Sequence, residues 1–414
     1  MSTPPPTSAP PDAPLGARLG ELARVFFKLG VIGFGGPAAH IAMMEDEVVE
    51  RRRWLSRQHF LDLIGATNLI PGPNSTEMTM HVGYARAGWV GLAVAGTSFI
   101  VPAALSTGLL AWAYVKYGTL PAVEPFLVGI KPAVLAVILG ALWRLGKKAV
   151  KGWMLAVLAA LVSVLLVAGL SEIAALVLGG VAGMLGLVAL RRRSTTGDPP
   201  KDNAPDDSDK AKASIKRGWL ALLPIPAGLV QATAAAAGAV PLWKLGLFFL
   251  KVGAVLYGSG YVLIAFLEGD LVNDYGWLTQ QQLLDAVAIE QFTPGPVLTT
   301  ATFIGYVLGG VPGAGVATVG IFLPAFVFAG LLHPVVPKLR TSPWTAAFLD
   351  AINAAAVALM AVVTVQLGLD VLTGWVPVAI FAGAAVLALR YKVNAAWLVL
   401  GGALAGWLGA TLGL

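Results

Sequence analysis

Apolar runs close to the ~20 residues that a helix needs to cross a bilayer recur along this chain, and they decide what it can fold into. They occupy 88–115, 125–145, 153–170, 173–190, 218–240, 245–267, 313–332, 346–367, 375–389 and 395–414. The runs are continuous rather than alternating, and lipid offers no partner to an open backbone group, so they read as helices and not as barrel strands. The expected fold class is all-α and integral to the membrane. Hydrophobic residues make up 57% of the chain and charged residues 12%, against about 25% charged in a soluble domain. A net charge of +6 would suggest nucleic acid for a soluble protein. Here the basic residues concentrate in short inter-helix loops, which is a topology signal, so the expected partner is the lipid bilayer and not nucleic acid. With no cysteine, disulfides, thiolate metal sites and cysteine catalysis are excluded.

The chain repeats itself. Trp54-Leu55-Ser56 matches Trp277-Leu278-Thr279, Pro71-Gly72-Pro73 matches Pro294-Gly295-Pro296, and Lys28, Gly30, Phe34 and Gly35 match Lys251, Gly253, Tyr257 and Gly258, all at one offset. After a single deletion the register continues through Gly83-Tyr84 with Gly305-Tyr306, Pro102 with Pro324 and Leu145-Gly146 with Leu367-Gly368. Chance apolar similarity does not hold Trp, Pro and Gly in register. Residues 21–190 form the first repeat and 244–414 the second, joined by a polar cytoplasmic linker at 191–217 and a connecting transmembrane helix at 218–240. Residues 1–20 read as a disordered cytoplasmic tail, because their Pro, Ser and Thr lack the basic and apolar regions of a cleaved signal peptide.

Matched loops carry opposite charge. Arg144, Lys147, Lys148 and Lys151 follow the fourth segment of the first half, whereas 368–374 holds only Asp370. Arg390 and Lys392 in the second half answer a stretch, 168–172, with no basic residue, and Arg51, Arg52, Arg53 and Arg57 answer Glu268, Asp270 and Asp274. Short cytoplasmic loops retain positive charge, so the halves are expected to have inverted topology. Six segments, one connector and six more give about 13 membrane segments, with a cytoplasmic N-terminus and a periplasmic or extracellular C-terminus. That count places Arg51, Arg52 and Arg53 outside. Re-entrant hairpins over 21–50 and 57–86 return them to the cytoplasm without moving any later crossing, and are preferred to spanning helices.

Chemistry is expected where apolar segments break, at 33–37 and 71–73 and again at 258–260 and 294–296. Proline removes a helix donor and glycine adopts angles closed to other residues. Paired broken helices are the sequence pointer to a transporter's binding site. A half-helix after Pro-Gly-Pro offers free amides and a positive dipole end to an oxyanion. Asn68, Asn74, Ser75 and Thr76 in the first half, and Gln291, Thr299, Thr300 and Thr302 in the second, supply neutral donors. The alternative is that these groups only satisfy local backbone. Lys28 and Lys251 either compensate the anion's charge or snorkel from helix ends. Lys131 is a further path-lining candidate, with Asn353 as its repeat partner. Glu77 and Glu290 either carry a coupling proton or, for Glu77, complement a helix dipole. His40 and His81 read as packed or pore-edge groups. No metal cluster, phosphate loop or nucleophile elbow is evident, so no metal and no cofactor is expected.

At these breaks the sequence resembles the long, two-domain form of the chromate ion transporter family. The resemblance lies in 27–37 (FKLGVIGFGGP), 68–84 (NLIPGPNSTEMTMHVGY) and 290–306 (EQFTPGPVLTTATFIGY) and covers nearly the whole chain. It implies export of chromate across a bacterial inner membrane, giving chromate resistance, with sulfate as a related or competing anion. It also implies a site on Gly35, Gly36, Pro71, Gly72, Pro73, Asn74, Ser75, Pro294, Gly295 and Pro296. The second half departs from it with Gly258-Ser259-Gly260 where the first has Gly35-Gly36-Pro37, so unequal contributions are expected. The leading expectation is a secondary transporter, an antiporter or a carrier driven by membrane potential, working by alternating access and able to form a homodimer. An importer or exchanger of sulfate or another oxyanion, and an anion channel, stay open as alternatives. An enzyme would need a catalytic pair that is absent from the sequence.

Overall fold

The computed structural model describes residues 14–34, 36–67, 70–118, 124–194, 240–258, 260–333 and 342–412. All regular structure among them is helical. The first half contains α1 (Leu15–Ile32), α2 (Gly36–Glu45) running into a π-helical turn (Asp46–Arg51), α3 (Arg57–Thr67), α4 (Asn74–Tyr117), α5 (Glu124–Ala149), α6 (Trp153–Val167) and α7 (Glu172–Ser194). The second contains α8 (Leu242–Val255), α9 (Leu263–Phe266) between a 3-10 turn (Gly260–Val262) and a π-helical turn (Leu267–Asp274), and α10 (Gln280–Glu290). A 3-10 turn (Val297–Thr299) then leads into α11 (Thr300–Leu332), followed by α12 (Pro343–Val371), α13 (Trp375–Arg390) and α14 (Ala395–Thr411). Most of the linker expected at 191–217, and the connecting helix expected at 218–240 apart from Val240, lie outside the described residues.

One boundary differs from expectation. The tail read as disordered through residue 20 is helical from Leu15. Leu19 and Leu22 pack into the first-half core, and Arg18 Nη1 donates to the Arg86 carbonyl at 2.9 Å, which anchors the helix start.

The halves repeat in backbone detail. α4 breaks at Ala87 (φ −149°, ψ 26°) and Gly88 (φ 60°, ψ −149°), and α11 at Gly309 (φ −148°, ψ 19°) and Gly310 (φ 61°, ψ −152°). The positive φ at Gly88 and Gly310 is the left-handed region that glycine enters without strain. Each short arm then folds back along its long arm through paired glycines, Gly83 on Gly91 and Gly305 on Gly313, with no room for a Cβ. Gly30 of α1 abuts the backbone of Phe99, and Gly253 of α8 abuts that of Ile321. Small residues at such crossings let helix backbones approach where lipid provides little drive for association.

Arg86 binds the Arg18 turn and lies 4.4 Å from the Trp54 ring. Residues 18, 54 and 86 therefore meet at one end. α1 with α2, and α3 with the short arm of α4, each leave that end and return to it. Equivalent helices run antiparallel. Trp89 lies against Gly330 and Gly96 against Phe326 between α4 and α11, while Lys151, Gly146 and Leu135 lie beside Asp350, Val357 and Gly368 between α5 and α12. Among the described residues five helices are long and apolar enough to cross a membrane, and α6, α13 and α14 are shorter apolar helices. Leu105, Leu109, Val311 and Leu369 point outward, an apolar surface suited to lipid rather than water.

The glycine contacts yield a paired prediction. A Cβ at Gly305 meets the Gly313 carbonyl and the Ala317 Cβ, whereas one at Gly108 meets nothing within 4 Å. Gly305→Ala is expected to lose about 1–3 kcal/mol through overpacking. Gly108→Ala should leave stability unchanged or raise it by up to ~1 kcal/mol through helix propensity. Melting in detergent measures both, and equal temperatures for the two variants would contradict the arm-to-arm packing.

Candidate functional site

The four breaks meet at the middle of the fold and are tied in pairs across the halves. The Gly72 N–H donates to the Leu256 carbonyl at 2.7 Å, and the Gly295 N–H donates to the Gly33 carbonyl at 2.7 Å. Under the repeat Gly72 corresponds to Gly295 and Gly33 to Leu256, so one bond is the image of the other. Each Pro-Gly-Pro presents its amide because the glycine sits at positive φ, 141° for Gly72 and 97° for Gly295. The flanking prolines, Pro71, Pro73, Pro294 and Pro296, carry no N–H to compete.

A cavity of about 910 Å³ opens beside these breaks. First-half lining groups include Gly36, Pro73, Asn74 and Ser75, and the second half adds Gly258, Gly260, Tyr261, Val297 and Leu298. Its walls carry Arg144, Lys147, Lys148, Lys151 and Lys392 against a single carboxylate, Asp350, which is itself bonded to Lys151 at 2.7 Å. Charge of one sign lining a cleft between low-dielectric walls focuses the field onto an incoming anion. The N-terminus of α4 at Asn74 meets the same space, with the positive end of the helix dipole towards it.

Of the remaining sequence candidates, Gly35 and Asn68 lie outside the described residues. The hydroxyls of Thr299 and Thr300 donate to the Pro296 and Val297 carbonyls at 2.9 and 2.8 Å, and Thr302 pairs with Thr318 at 2.7 Å. The Thr299 and Thr300 hydroxyls serve their own turn, and Thr302 bridges the two arms of α11. Where the first half brings Asn74 and Ser75 to the cavity, the second brings Val297 and Leu298. Thr76 is buried, and its hydroxyl has no partner among the described residues. Gln291 bonds the Glu290 carboxylate and accepts from the Tyr261 hydroxyl at 3.4 Å, which sets the pair behind a cavity-lining ring. His40 Nε2 lies 2.8 Å from the Gly33 carbonyl, packed against a break.

Lys28 and Lys251 do not line the cavity. Each forms an ion pair within its own half, Lys28 with Glu47 and Lys251 with Asp270, both at 2.7 Å. The equal spacing of the two pairs along the chain was the available signal. Lys131 Nζ donates to Gln281 Oε1 at 3.1 Å at the opposite end, while its repeat partner Asn353 lines the cavity. That end is closed. Tyr114 donates to Asp285 and Gln280 to Asp370, both at 2.8 Å, joining α10 to the first half and to α12. The repeat images of α10 and α5 are α3 and α12, and the cavity opens between those two, lined by Ile64 and Thr67 on one side and Asn353 and Val357 on the other. The basic wall was read from sequence as topology alone. Arg144, Lys147 and Lys148 fall on one face of α5, with Lys151 just beyond its end at Ala149, and this spacing is the feature that points to a lining role.

The comparisons agree with one another. A family model described as "Chromate transporter" matches residues 20–184 and again 243–407. A "Probable chromate transport protein" of Synechococcus elongatus is 33% identical over 351 residues, covering 84% of each chain. A "Chromate transport protein" of Cupriavidus metallidurans is 33% identical over 349 residues, 82% of this chain and 80% of that one. Another, of Pseudomonas aeruginosa, is 32% identical over 428 residues, 98% and 94% of the two chains. No solved structure matches the chain.

The ion pairs make a separable prediction. Lys251→Met leaves the mostly buried Asp270 unpaired and is expected to lose about 1–3 kcal/mol, read as a lower melting temperature in detergent. The exchanged pair Lys251→Asp with Asp270→Lys should recover most of that loss. If transport also recovers in the exchanged protein, the lysine is structural; if stability returns and transport does not, it acts on the anion.

Proposed function

Because the chain belongs to the chromate transporter family, and so is a multi-pass membrane transporter and not an enzyme, we propose that it exports chromate from the cytoplasm through the break-lined cavity. The observation that carries this reading is the meeting of Asn74, Ser75 and the α4 N-terminus with five cationic side chains in one space. Cations draw the dianion in. Neutral donors at the base replace part of its hydration without the grip of a direct ion pair.

Orientation follows from the same charges. α5 ends at the basic wall and α4 turns at Arg86, so Arg51, Arg52, Arg53 and the 144–151 cluster share one end, which the positive-inside rule assigns to the cytoplasm. The two first-half helix pairs that return to that end then act as re-entrant hairpins, and their second-half images enter from the other face. This makes an inverted repeat. Of about 13 segments, roughly nine cross the membrane, with the run 218–240 supplying the crossing between the halves. The N-terminus is cytoplasmic and the C-terminus lies across the bacterial inner membrane.

On this reading the cavity faces the cytoplasm, and the Tyr114–Asp285 and Gln280–Asp370 bonds support a closed opposite end. One open and one sealed end in a two-fold scaffold favours alternating access over a channel, since exchanging the conformations of the halves opens the sealed end. Export of a dianion from a negative interior is favoured by ~2.3 kcal/mol per charge per 100 mV. Sulfate, with the same tetrahedral charge, is the expected competitor.

The test is chromate uptake into everted vesicles carrying the protein, with sulfate as competitor. Uptake should saturate and require an energised membrane. Asn74→Ala is expected to raise the half-saturating concentration about tenfold, equivalent to ~1.4 kcal/mol. Lys147→Gln with Lys148→Gln should slow uptake at low ionic strength and converge on the parent at high salt, as steering charges do. Sulfate uptake without chromate uptake would replace the substrate, and flux that neither saturates nor needs energy would favour a channel.

A further inference from the structure

A buried file of ionisable groups leads from the open end to the first break. His81, fully buried in the short arm of α4, places its Nδ1 2.9 Å from Nδ1 of His333 at the end of α11. Two imidazole nitrogens at that distance share one proton, one donating and the other accepting. His333 is only part-buried. Its ring lies 4.4 Å from that of Tyr84, and the exposed His59 at the start of α3 is near enough to act on it electrostatically. One turn from His81 on the same face of α4 is Glu77, also fully buried. Its carboxylate rests against Gly72, and neither oxygen has a hydrogen-bond partner among the described residues. From the second half Tyr257 faces it. Among the described residues no lysine or arginine pairs with it.

Packing does not require these groups. At the repeat position of His81 the second half has Phe303, and no acid occurs from Val297 to Leu332. The same fold is thus built with apolar and hydroxyl side chains in one half and with a titratable file in the other. Ionisable residues inside membrane segments mark ion paths and proton relays.

We propose that His333, His81 and Glu77 form a proton conduit between the cytoplasmic face and the Pro71-Gly72-Pro73 break, tying anion export to proton movement in the opposite direction. The proposal rests on the anion site assigned above and deepens it. Release runs outward along the file. The Glu77 oxygens and His81 Nε2 are unpartnered at rest among the described residues, so a rotation of the Glu77 side chain brings its protonated carboxyl to Nε2 of His81 and hands over the proton; the Nδ1 proton of His81 then passes to Nδ1 of His333, and the proton on Nε2 of His333 leaves to the cytoplasm. Each imidazole gains one proton and loses one, and Glu77 is left as a carboxylate beside Gly72.

The experiment compares parent, Glu77→Gln, His81→Phe and His333→Asn in everted vesicles. One assay follows chromate accumulation driven by an acid lumen with the membrane potential clamped at zero. The other follows exchange of labelled for unlabelled chromate without any gradient, which needs binding and movement but no net proton flow. Gradient-driven accumulation should fall on the order of 10-fold or more in the variants, with exchange kept within about twofold of the parent. His81→Phe copies the residue of the second half, and its retained exchange also reports correct folding. Variants that accumulate chromate like the parent overturn the conduit. So do variants that lose exchange in equal measure, since the groups then serve binding or packing. A parent that exchanges chromate but ignores the pH gradient overturns the conduit and spares the site; a parent that does neither overturns the site itself.

Discussion

Two hydrogen bonds hold the centre of this molecule, Gly72 to Leu256 and Gly295 to Gly33. In hydrocarbon a free backbone amide costs several kcal/mol, so a helix can break at mid-depth only where something receives the groups it releases. Here each half receives those of the other. The breaks are therefore mutually dependent, and neither half satisfies its own interior. The positive φ of both glycines and the prolines beside them follow from this exchange, because the amide must turn out of its own helix to reach across. The candidate site follows from the same geometry, since a helical segment restarts directly after each break.

Symmetry of backbone coexists with asymmetry of chemistry. The kinks at Ala87-Gly88 and Gly309-Gly310 agree within a few degrees, yet Asn74 and Ser75 face the cavity where the second half offers Val297 and Leu298. The bonds closing the far end have no described counterpart at the near end, where the image of Gln280 and Asp370 is Arg57 and Lys148, two cations. Like charges there disfavour the same closure.

Much of this was legible in the chain because glycine and proline have few substitutes. The repeat register, the Pro-Gly-Pro breaks and the helical class rest on backbone requirements that side-chain variation cannot erase. Roles decided by tertiary partners were harder to read. Lys28 and Lys251 stood at matching apolar positions, and only the fold shows Glu47 and Asp270 beside them. His81 looked like a lone packed histidine, since its partner His333 lies 252 positions away. The 144–151 cations were visible as topology but not as a wall, because one surface served both purposes. The start of α1 is hard to read because the Pro-rich composition outweighs the Leu19, Leu22, Phe26 spacing that seats it.

That double use of the basic cluster bears on how such a carrier can change specificity. Long-range attraction from Arg144, Lys147 and Lys148 acts on any anion and distinguishes poorly between tetrahedral dianions of equal charge. In the proposed site discrimination has to arise at short range, where Asn74, Ser75 and the α4 N-terminus would meet the ligand and a small change in anion radius would alter hydrogen-bond length. The reciprocal bonds at Gly72 and Gly295 hold that geometry. A substitution at the breaks therefore acts on selectivity and on helix satisfaction together, whereas a substitution on the wall acts on rate alone.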